Sequence, residues 1–461
     1  MTSSQKTILL PVFHGHISRN LLLTGIFKIW SARDDIRWVI VTHDFKKDYL
    51  TSKFPGPNVV IEGLDLEMVK IPPVERFFKS LFFFFVKCRT IKMLQREQLD
   101  LESGVIRYLF RRLLTVIFGS SQTLRDLIRW FYYHLVPVKT VVTELFKKYR
   151  PDAVILPDMT FPVDNYILHQ AKMLGLPSIA MLRSWDVLTT NKGIIRLKPD
   201  RLVVHNPWLK AAAIKWGDIK GDRIDIGGMP HFDIYFKGQP AKRRLFFEKL
   251  GLDPEKRVIL YSLNGGWGEG ISKDIAQIIS RAVSDGRLPP DLQLLIRMHP
   301  NAPREHFEKD PHYVFYWPEG VRFNKGRLSD MEFTESWLQE LYDVIYYSDV
   351  TINAQSTMSI DAAALDKPVI NICFDGYQKL PYIKSIRRLY DMDHYRPIVE
   401  SGGVRQVWSE SELIGWLNKY LADPSLDRAG RERIVSEQCF ISDGRSAQTT
   451  AQYVLDFLDN T

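Results

Sequence analysis

The chain has 461 residues, of which 45% are hydrophobic and 25% charged, a composition that excludes a disordered protein and suits two folded domains. Its 62 Lys and Arg against 54 Asp and Glu give a net charge of +8, a modest excess that suits anionic substrates or an anionic membrane surface. The three cysteines, Cys88, Cys373 and Cys439, have no paired spacing. A disulfide framework and a structural zinc site are therefore not expected, and the expected compartment is the cytoplasm.

Apolar runs that alternate with helical patterns predict a Rossmann-like α/β domain over residues 1–230. Strands are predicted at residues 8–13, 38–42, 59–62, 153–156, 178–182, 201–204 and 223–226, and a helix is predicted at 17–30. In an open parallel sheet, ligands bind beyond the carboxyl ends of the strands. His14, His16 and Arg19 follow the first strand, and Asp158 follows the strand at 153–156, so all four are candidate site residues.

Residues 72–135 interrupt this domain with a pattern that contains no obvious strand. Aromatic and basic residues interleave there, and the four phenylalanines at 82–85 are apolar on every helical face. The pattern predicts a helical insertion that lies on an anionic membrane surface. The alternative is that these helices pack over the N-terminal sheet and leave their arginines solvated. The apolar run beginning at Leu81 is far too short to span a bilayer.

A second Rossmann-like domain is predicted over residues 231–445, and a helix over 446–458, within the C-terminal segment 446–461, is expected to return to the first domain. The most informative part of the second domain is one strand-turn-helix-strand unit. It consists of a strand at 350–352, a turn with Ser356 and Thr357, a helix at 358–365 and a strand at 369–374. Ser and Thr favour helix starts, and a helix N-terminus binds phosphate through its free N–H groups. Asp361, one turn further on, could reach a ribose hydroxyl. A turn of this kind alone would indicate only a capped helix.

Two further segments strengthen the phosphate-binding interpretation. The predicted strand at 292–296 ends in Arg297-Met298-His299-Pro300, which puts Arg297 and His299 at a ligand-binding edge. A strand at 258–262 is followed by Asn264, Gly265, Gly266 and Trp267, where the glycines let the backbone approach a phosphate.

From about residue 152 onward, these motifs resemble the donor domain of GT-B glycosyltransferases. The resemblance is closest to the branch that holds CDP-glycerol glycerophosphotransferases and related surface-polysaccharide enzymes. It rests on Arg297-Met298-His299-Pro300, on the pattern from Ser348-Asp349 to Lys367-Pro368-Val369-Ile370, on Gly228-Met229-Pro230 with Asp233, and on Asp443-Gly444. It implies two Rossmann-like domains that face each other across a cleft, with the donor diphosphate on Arg297, His299, Ser356, Thr357 and residues 264–267.

The same resemblance implies roles for the first domain. A histidine in the loop after the first strand resembles the general base of inverting GT-B enzymes. His16 is preferred over His14 because it lies nearer the helix start, Asp158 would orient the imidazole, and Arg19 would bind an anionic acceptor. The alternative is that His14-Gly15-His16 is an ordinary polar turn. No D-x-D motif lies in a suitable loop, so neither a metal nor another cofactor is expected.

The leading functional hypothesis is a glycosyltransferase that moves a sugar from a nucleotide-sugar donor to a cell-surface glycan or lipid-linked acceptor. The alternative is a CDP-alditol phosphotransferase on the same fold. Asn353 counts against it because those enzymes often carry an acidic residue there, and the Ser356-Thr357 pair only approximates their motif. A non-hydrolysing nucleotide-sugar 2-epimerase ranks third and a non-catalytic binding protein last. The expected partners are the donor, the acceptor and an anionic membrane surface at the inner face of the cell membrane, without nucleic acid.

Overall fold

A computed structural model describes residues 5–65, 71–102, 104–190, 195–263, 269–299, 310–318, 320–323 and 331–461. In these residues, seven parallel strands form the first sheet, in the order β3-β2-β1-β4-β5-β6-β7. The strands are β1 (Lys6–Pro11), β2 (Ile36–His43), β3 (Val59–Leu64), β4 (Ala153–Leu156), β5 (Ser178–Met181), β6 (Arg201–Val204) and β7 (Ile224–Ile226). Helices cover both faces of this sheet, which is why its strands are nearly continuous apolar runs.

The helices of the first domain fall into three groups along the chain: α1 (Gly15–Leu21), α2 (Gly25–Ser31) and α3 (Lys47–Lys53); then α4 (Pro73–Phe82), α5 (Arg89–Glu102), α6 (Val105–Ser120) and α7 (Gln122–Leu135); then α8 (Thr140–Tyr149), α9 (Pro162–Met173) and α10 (Pro207–Gly217). The single helix predicted at 17–30 is wrong, because the chain forms α1 and α2 there. The Thr24 hydroxyl accepts a hydrogen bond from the Ile26 amide at 3.5 Å and starts a new helix.

The second sheet has the order β10-β9-β8-β13-β14-β15 in the part of the chain that is described, and all its neighbouring strands are parallel. Its strands, together with a short antiparallel ribbon formed by β11 and β12, are β8 (Arg257–Ser262), β9 (Leu292–Arg297), β10 (Tyr313–Tyr316), β11 (Val321–Arg322), β12 (Met331–Glu332), β13 (Val350–Asn353), β14 (Val369–Ile372) and β15 (Arg405–Val407). The order places β9 and β13 on either side of β8. Because these strands are parallel, the segments that follow β9 and β13 both lie at the edge of the sheet formed by the carboxyl ends of the strands.

The remaining helices are α11 (Asp233–Lys237), α12 (Arg243–Leu250), α13 (Glu269–Ser284), α14 (Glu335–Tyr346), α15 (Met358–Ala364), α16 (Arg396–Glu400), α17 (Glu410–Ala422), α18 (Arg428–Ile434) and α19 (Ser446–Asp459). The last of them, α19, packs in the apolar core beneath the first sheet, beside Ile8 and Trp30. The Asp233 carboxylate accepts hydrogen bonds from the amides of Ser446 at 2.9 Å and Ala447 at 2.8 Å, which fixes the start of α19.

The four helices α4 to α7 form the predicted insertion. Phe82 and Phe85 are fully buried in the core of the first domain, and Phe84 is nearly so. The expectation that the phenylalanines at 82–85 face a membrane is therefore wrong, because they complete the cover of the first sheet. Large apolar side chains of α6 and α7 remain exposed instead. Among the described helices, none is both long and apolar enough to cross a bilayer.

Candidate active site

A cavity of about 550 Å³ lies between the two domains, where the strands of both sheets end. Loops after β1, β5, β6 and β7 form one wall, and the segments after β9 and β13 form the other. The polar residues of the cavity include His14, His16, Arg19, Arg183, His205 and His231 on the first wall, and Arg297, His299, Gln355, Ser356, Thr357 and Asp361 on the second. The structure thus brings together almost every candidate residue that it describes.

The two histidines after β1 have different surroundings. The His14 Nδ1 atom accepts a hydrogen bond from the His16 amide at 3.3 Å and caps α1. The His16 ring stacks on His14 with centroids 5.1 Å apart and packs on Phe333 of the second domain at 5.0 Å. Among the described residues, no side chain or backbone group hydrogen-bonds to the His16 ring nitrogens. One His14 nitrogen is thus used by the cap of α1, whereas the cap uses neither nitrogen of His16.

The His16 imidazole is neutral near pH 7. Burial is the main cause that lowers its pKa well below the ordinary value, and nearby Arg19, His14, Arg183 and His299 lower it further. A neutral imidazole can accept a proton from a substrate hydroxyl. His16 and His299 line the same cavity from opposite walls.

Asp158 does not orient an imidazole, which corrects the role expected for it. Its buried carboxylate accepts a hydrogen bond from the Thr160 hydroxyl at 2.6 Å and forms an ion pair with Arg183 at 2.9 Å. A guanidinium binds a buried carboxylate more strongly than a neutral imidazole does. Asp158 therefore acts on the cavity indirectly, by holding Arg183 in the wall.

Arg297 and His299 lie at the end of β9, as predicted, but only one of them carries charge. Arg297 is 7% exposed, its guanidinium lies 5.8 Å from the centre of the Trp337 ring, and its Nε atom has no hydrogen-bond partner among the described residues. Burial and the nearby Arg297 lower the pKa of His299 to about 4. Without a bound anion, His299 is therefore neutral at pH 7, and its contact with the donor phosphate stays a prediction.

The turn between β13 and α15 presents Ser356 and Thr357 to the cavity. The Ser356 hydroxyl accepts a hydrogen bond from the Met358 amide at 3.3 Å, whereas the Thr357 side chain makes no capping bond. Beneath the turn, the Asn353 Oδ1 atom accepts hydrogen bonds from Ser359 at 3.1 Å and Asn371 at 3.0 Å. Asn353 is therefore a buried support of the turn and does not line the cavity, so its identity says little about the donor.

Asp361 and Arg19 meet at the boundary between the domains. Burial raises the pKa of Asp361 to about 6, although a hydrogen bond from Tyr235 and the charges of Arg19 and Arg297 act in the opposite direction. Burial lowers the pKa of Arg19 to about 10, so this guanidinium stays charged at pH 7. Arg19 also lies 3.4 Å from the His231 Nδ1 atom. Asp361 thus sits between two arginines, one from each domain.

Sequence reasoning missed Arg183, His205, His231 and Gln355. Arg183 and His205 each follow closely after the end of a parallel strand, so the rule that identified His14 would have identified them also. The predicted loop of Asn264, Gly265, Gly266 and Trp267 lies outside the described residues. Within the residues that are described, no group of three or more His, Cys, Asp or Glu side chains could hold a metal ion.

Comparison with known proteins identifies relatives of this chain. A family model described as CDP-glycerol:poly(glycerophosphate) glycerophosphotransferase matches residues 195–456, a span that includes the whole second wall of the cavity. The teichoic acid glycerol-phosphate primase of Bacillus spizizenii is 25% identical over 245 residues, which are 48% of this chain and 57% of that protein. The chain therefore matches little more than half of the length of that relative.

Solved structures share the arrangement of both domains. The S. aureus MnaA–UDP complex has a TM-score of 0.54 at 10% identity and covers 98% of this chain and 97% of its own. A structure of the wall teichoic acid polymerase TagF with CDPG has a TM-score of 0.51 at 12% identity and covers 99% of this chain and 90% of its own. At these identities the likeness shows the fold alone, and it confirms the predicted GT-B architecture of two Rossmann-like domains.

Proposed function

Because this chain belongs to the CDP-glycerol:poly(glycerophosphate) glycerophosphotransferase family, we propose that it transfers a phosphoalditol group from a CDP-alditol to an acceptor hydroxyl. The acceptor we propose is a cell-surface polymer or its lipid-linked precursor. The observation that carries the proposal is that the family match includes Arg297, His299, Ser356, Thr357 and Asp361. Transfer of a sugar from a nucleotide-sugar, the leading hypothesis from sequence, has support only from the shared fold.

The second wall of the cavity would bind the donor. Arg297 supplies a buried positive charge, and Ser356 and Thr357 supply hydroxyl groups at the start of α15, the positive end of its helix dipole. These groups would stabilise the negative charge that builds up on the departing CMP. We propose that they do so without a metal ion.

The first wall would bind and activate the acceptor. In the proposed step, the acceptor oxygen attacks the phosphorus atom that carries the alditol, and the bond from this phosphorus to the CMP oxygen breaks. CMP leaves with the bonding electron pair, and the hydroxyl proton passes to neutral His16. Arg19 and Arg183 provide positive charge on the acceptor side, which suits an acceptor that itself bears phosphate.

Donor preference tests this proposal by calorimetry. We expect CDP-glycerol or another CDP-alditol to bind more tightly than UDP-, GDP- or TDP-linked sugars, because the family match spans the donor wall. Unlinked CDP and UDP serve as controls that separate recognition of the base from recognition of the transferred group. Tighter binding of a nucleotide-sugar than of every CDP-alditol would contradict the proposal and favour glycosyl transfer.

We also propose that the protein works at an anionic membrane surface, where a lipid-linked acceptor would lie. The exposed apolar side chains of α6 and α7 define a basic-aromatic face, formed by Ile106, Leu109, Phe110, Leu113, Val116, Ile117, Leu127, Trp130 and Leu135. Residues 103–125 contain no Asp or Glu but four arginines. Arg125 is buried in an ion pair with Asp218, so the other three, all on α6, carry the positive charge of this region. A large exposed apolar patch marks an interaction surface, and its positive charge suits anionic lipid headgroups.

Sedimentation with vesicles of phosphatidylglycerol and phosphatidylcholine tests this surface. We expect binding at low salt, release at high salt, and a loss of binding in Phe110→Ser combined with Leu113→Ser. Leu174→Ser is the matched control, because Leu174 is as exposed as Leu113 but lies at the end of α9, outside the basic-aromatic face. Absence of binding at low salt, or an equal loss in the control, would contradict a membrane role for this face.

A further inference from the structure

The cavity is closed on one side by a seam between the domains. Segment 331–333 of the second domain, at the end of the β11–β12 ribbon, lies against the loop that carries His14 and His16. Phe333 contacts the His16 ring at 5.0 Å, and the Arg19 guanidinium lies 5.5 Å from the centre of the same Phe333 ring. The position of His16 relative to the second domain therefore depends on this seam.

A buried ion pair crosses the seam. The Lys46 Nζ atom lies 2.7 Å from the Glu332 Oε1 atom, and the two side chains are 0% and 1% exposed. Lys46 also donates to the Phe13 carbonyl at 3.4 Å, directly before His14. Because both side chains are buried, separating the pair would leave an unpaired charge in the protein interior, which costs free energy. The ion pair therefore fixes the relative position of the two side chains.

The same seam explains the glycine between the two histidines. A Cβ atom added at Gly15 would lie 2.2 Å from the Met331 carbonyl oxygen, far inside van der Waals contact. Any other residue at this position would push segment 331–333 away from the histidine loop. The His14-Gly15-His16 sequence is therefore more than an ordinary polar turn, since its glycine is required by contact with the other domain.

We propose that Gly15, Lys46 and Glu332 are positioning residues for group transfer. They hold the histidine loop against segment 331–333 and so set the distance from the His16 imidazole to Arg297 and His299 across the cavity. This inference rests on the proposed function for its reaction, but the closure of the cleft that it describes can be measured without any reaction. None of the three residues lines the cavity, so each acts through the placement of others.

The first test compares two glycine variants. Gly15→Ala is expected to lower turnover at saturating donor by about 10²-fold, because a displacement of about 1 Å can have that effect on a reacting pair. Donor affinity by calorimetry is expected to stay unchanged, since the proposed donor contacts lie on the second domain. Gly25→Ala is the matched control, because its added Cβ would meet Ala447 at an ordinary 3.7 Å, and it should behave as the wild type.

The second test separates positioning from stability. Lys46→Met and Glu332→Met alone each leave a buried charge unpaired and should lower the midpoint of thermal unfolding. The double variant removes both charges and should regain most of that midpoint, yet its turnover should remain low with donor affinity retained. Full recovery of turnover together with the midpoint would overturn the proposal, because the pair would then be only structural.

Hydrogen–deuterium exchange distinguishes failure of this inference from failure of the proposed function. In the free protein, Gly15→Ala is expected to exchange faster than Gly25→Ala at the histidine loop and at segment 331–333, because the contact between them is loosened. Equal exchange at both segments would overturn the inference, whatever reaction the protein performs. A wild-type protein that transfers nothing from a CDP-alditol would overturn the proposed function, and the exchange result would still decide the inference.

Discussion

Replacing His16 with alanine is expected to lower the rate of group transfer by about 10²–10⁴-fold, while the affinity for the donor stays unchanged. The reason is that a general base acts on the chemical step, and His16 lies on the wall opposite the proposed donor contacts. Steady-state kinetics with donor binding by calorimetry measures both quantities. An equal fall in donor affinity and in rate would contradict the role of His16 as a base.

Two further variants act as controls for His16. His14→Ala removes the cap of α1, so we expect about 1 kcal/mol of lost stability and a rate close to that of the wild type. Asp158→Asn removes the partner of Arg183 and should lower the rate less than His16→Ala does. If His14→Ala alone abolished turnover, His14 would be the base instead.

The pH dependence of the same reaction follows from the His16 environment. Burial and neighbouring positive charges lower the pKa of His16, so the imidazole stays in its neutral form as the pH falls through 6.5. Protonation of His16, which removes the base, occurs only at the lowered pKa. We therefore expect the acidic limb of kcat/KM to lie below pH 6.5. An acidic limb above pH 6.5 would show that another group is the base.

Replacing Arg297 with glutamine is expected to weaken donor binding by about 1.5–3 kcal/mol, because a charge-assisted contact with the diphosphate is lost. Calorimetry with the CDP-alditol measures this change. Thr357→Val, which removes one hydroxyl, should have a smaller effect of about 1 kcal/mol. Arg281→Gln is the control, because Arg281 contacts Tyr377 outside the cavity. Unchanged affinity in both Arg297→Gln and Thr357→Val would show that the second wall does not bind the donor.

The second wall could be predicted from sequence because its residues lie in contiguous motifs. Arg297 and His299 follow one buried strand, and Ser356, Thr357 and Asp361 share one strand-turn-helix unit. The neutral state of His299 could not be predicted, since it depends on burial by both domains. Asn353 was misleading for a related reason, because only the structure shows that its side chain points into the network beneath the turn.

The first wall was harder to predict because tertiary contacts assemble it. Asp158 and Arg183 come from different loops, so nothing local in the sequence indicates their ion pair. Lys46 and Glu332 are 286 positions apart, and both look like ordinary surface charges in sequence. Four consecutive phenylalanines at 82–85 are typical of a segment that contacts a membrane. They are largely buried instead because they pack over the first sheet, which the local sequence does not show.

The preference between glycosyl and phosphoalditol transfer could not come from the fold, because the two reactions share it. The motif that resembles a donor domain is common to both classes, and two features, Asn353 and the approximate match of Ser356-Thr357, counted against the phosphotransferase. Asn353 is a buried support outside the cavity, so it no longer counts. The family match over residues 195–456 then favours the phosphotransferase.

The linkage in the product decides between phosphoalditol transfer and glycosyl transfer. The protein would be incubated with CDP-glycerol and a teichoic-acid-type acceptor, with the released nucleotide identified by chromatography and the product by phosphorus NMR. For phosphoalditol transfer, we expect release of CMP in equal amount to new phosphodiester, and loss of both in His16→Ala. Release of a nucleoside diphosphate from a nucleotide-sugar, with a new glycosidic bond and no phosphodiester, would contradict it.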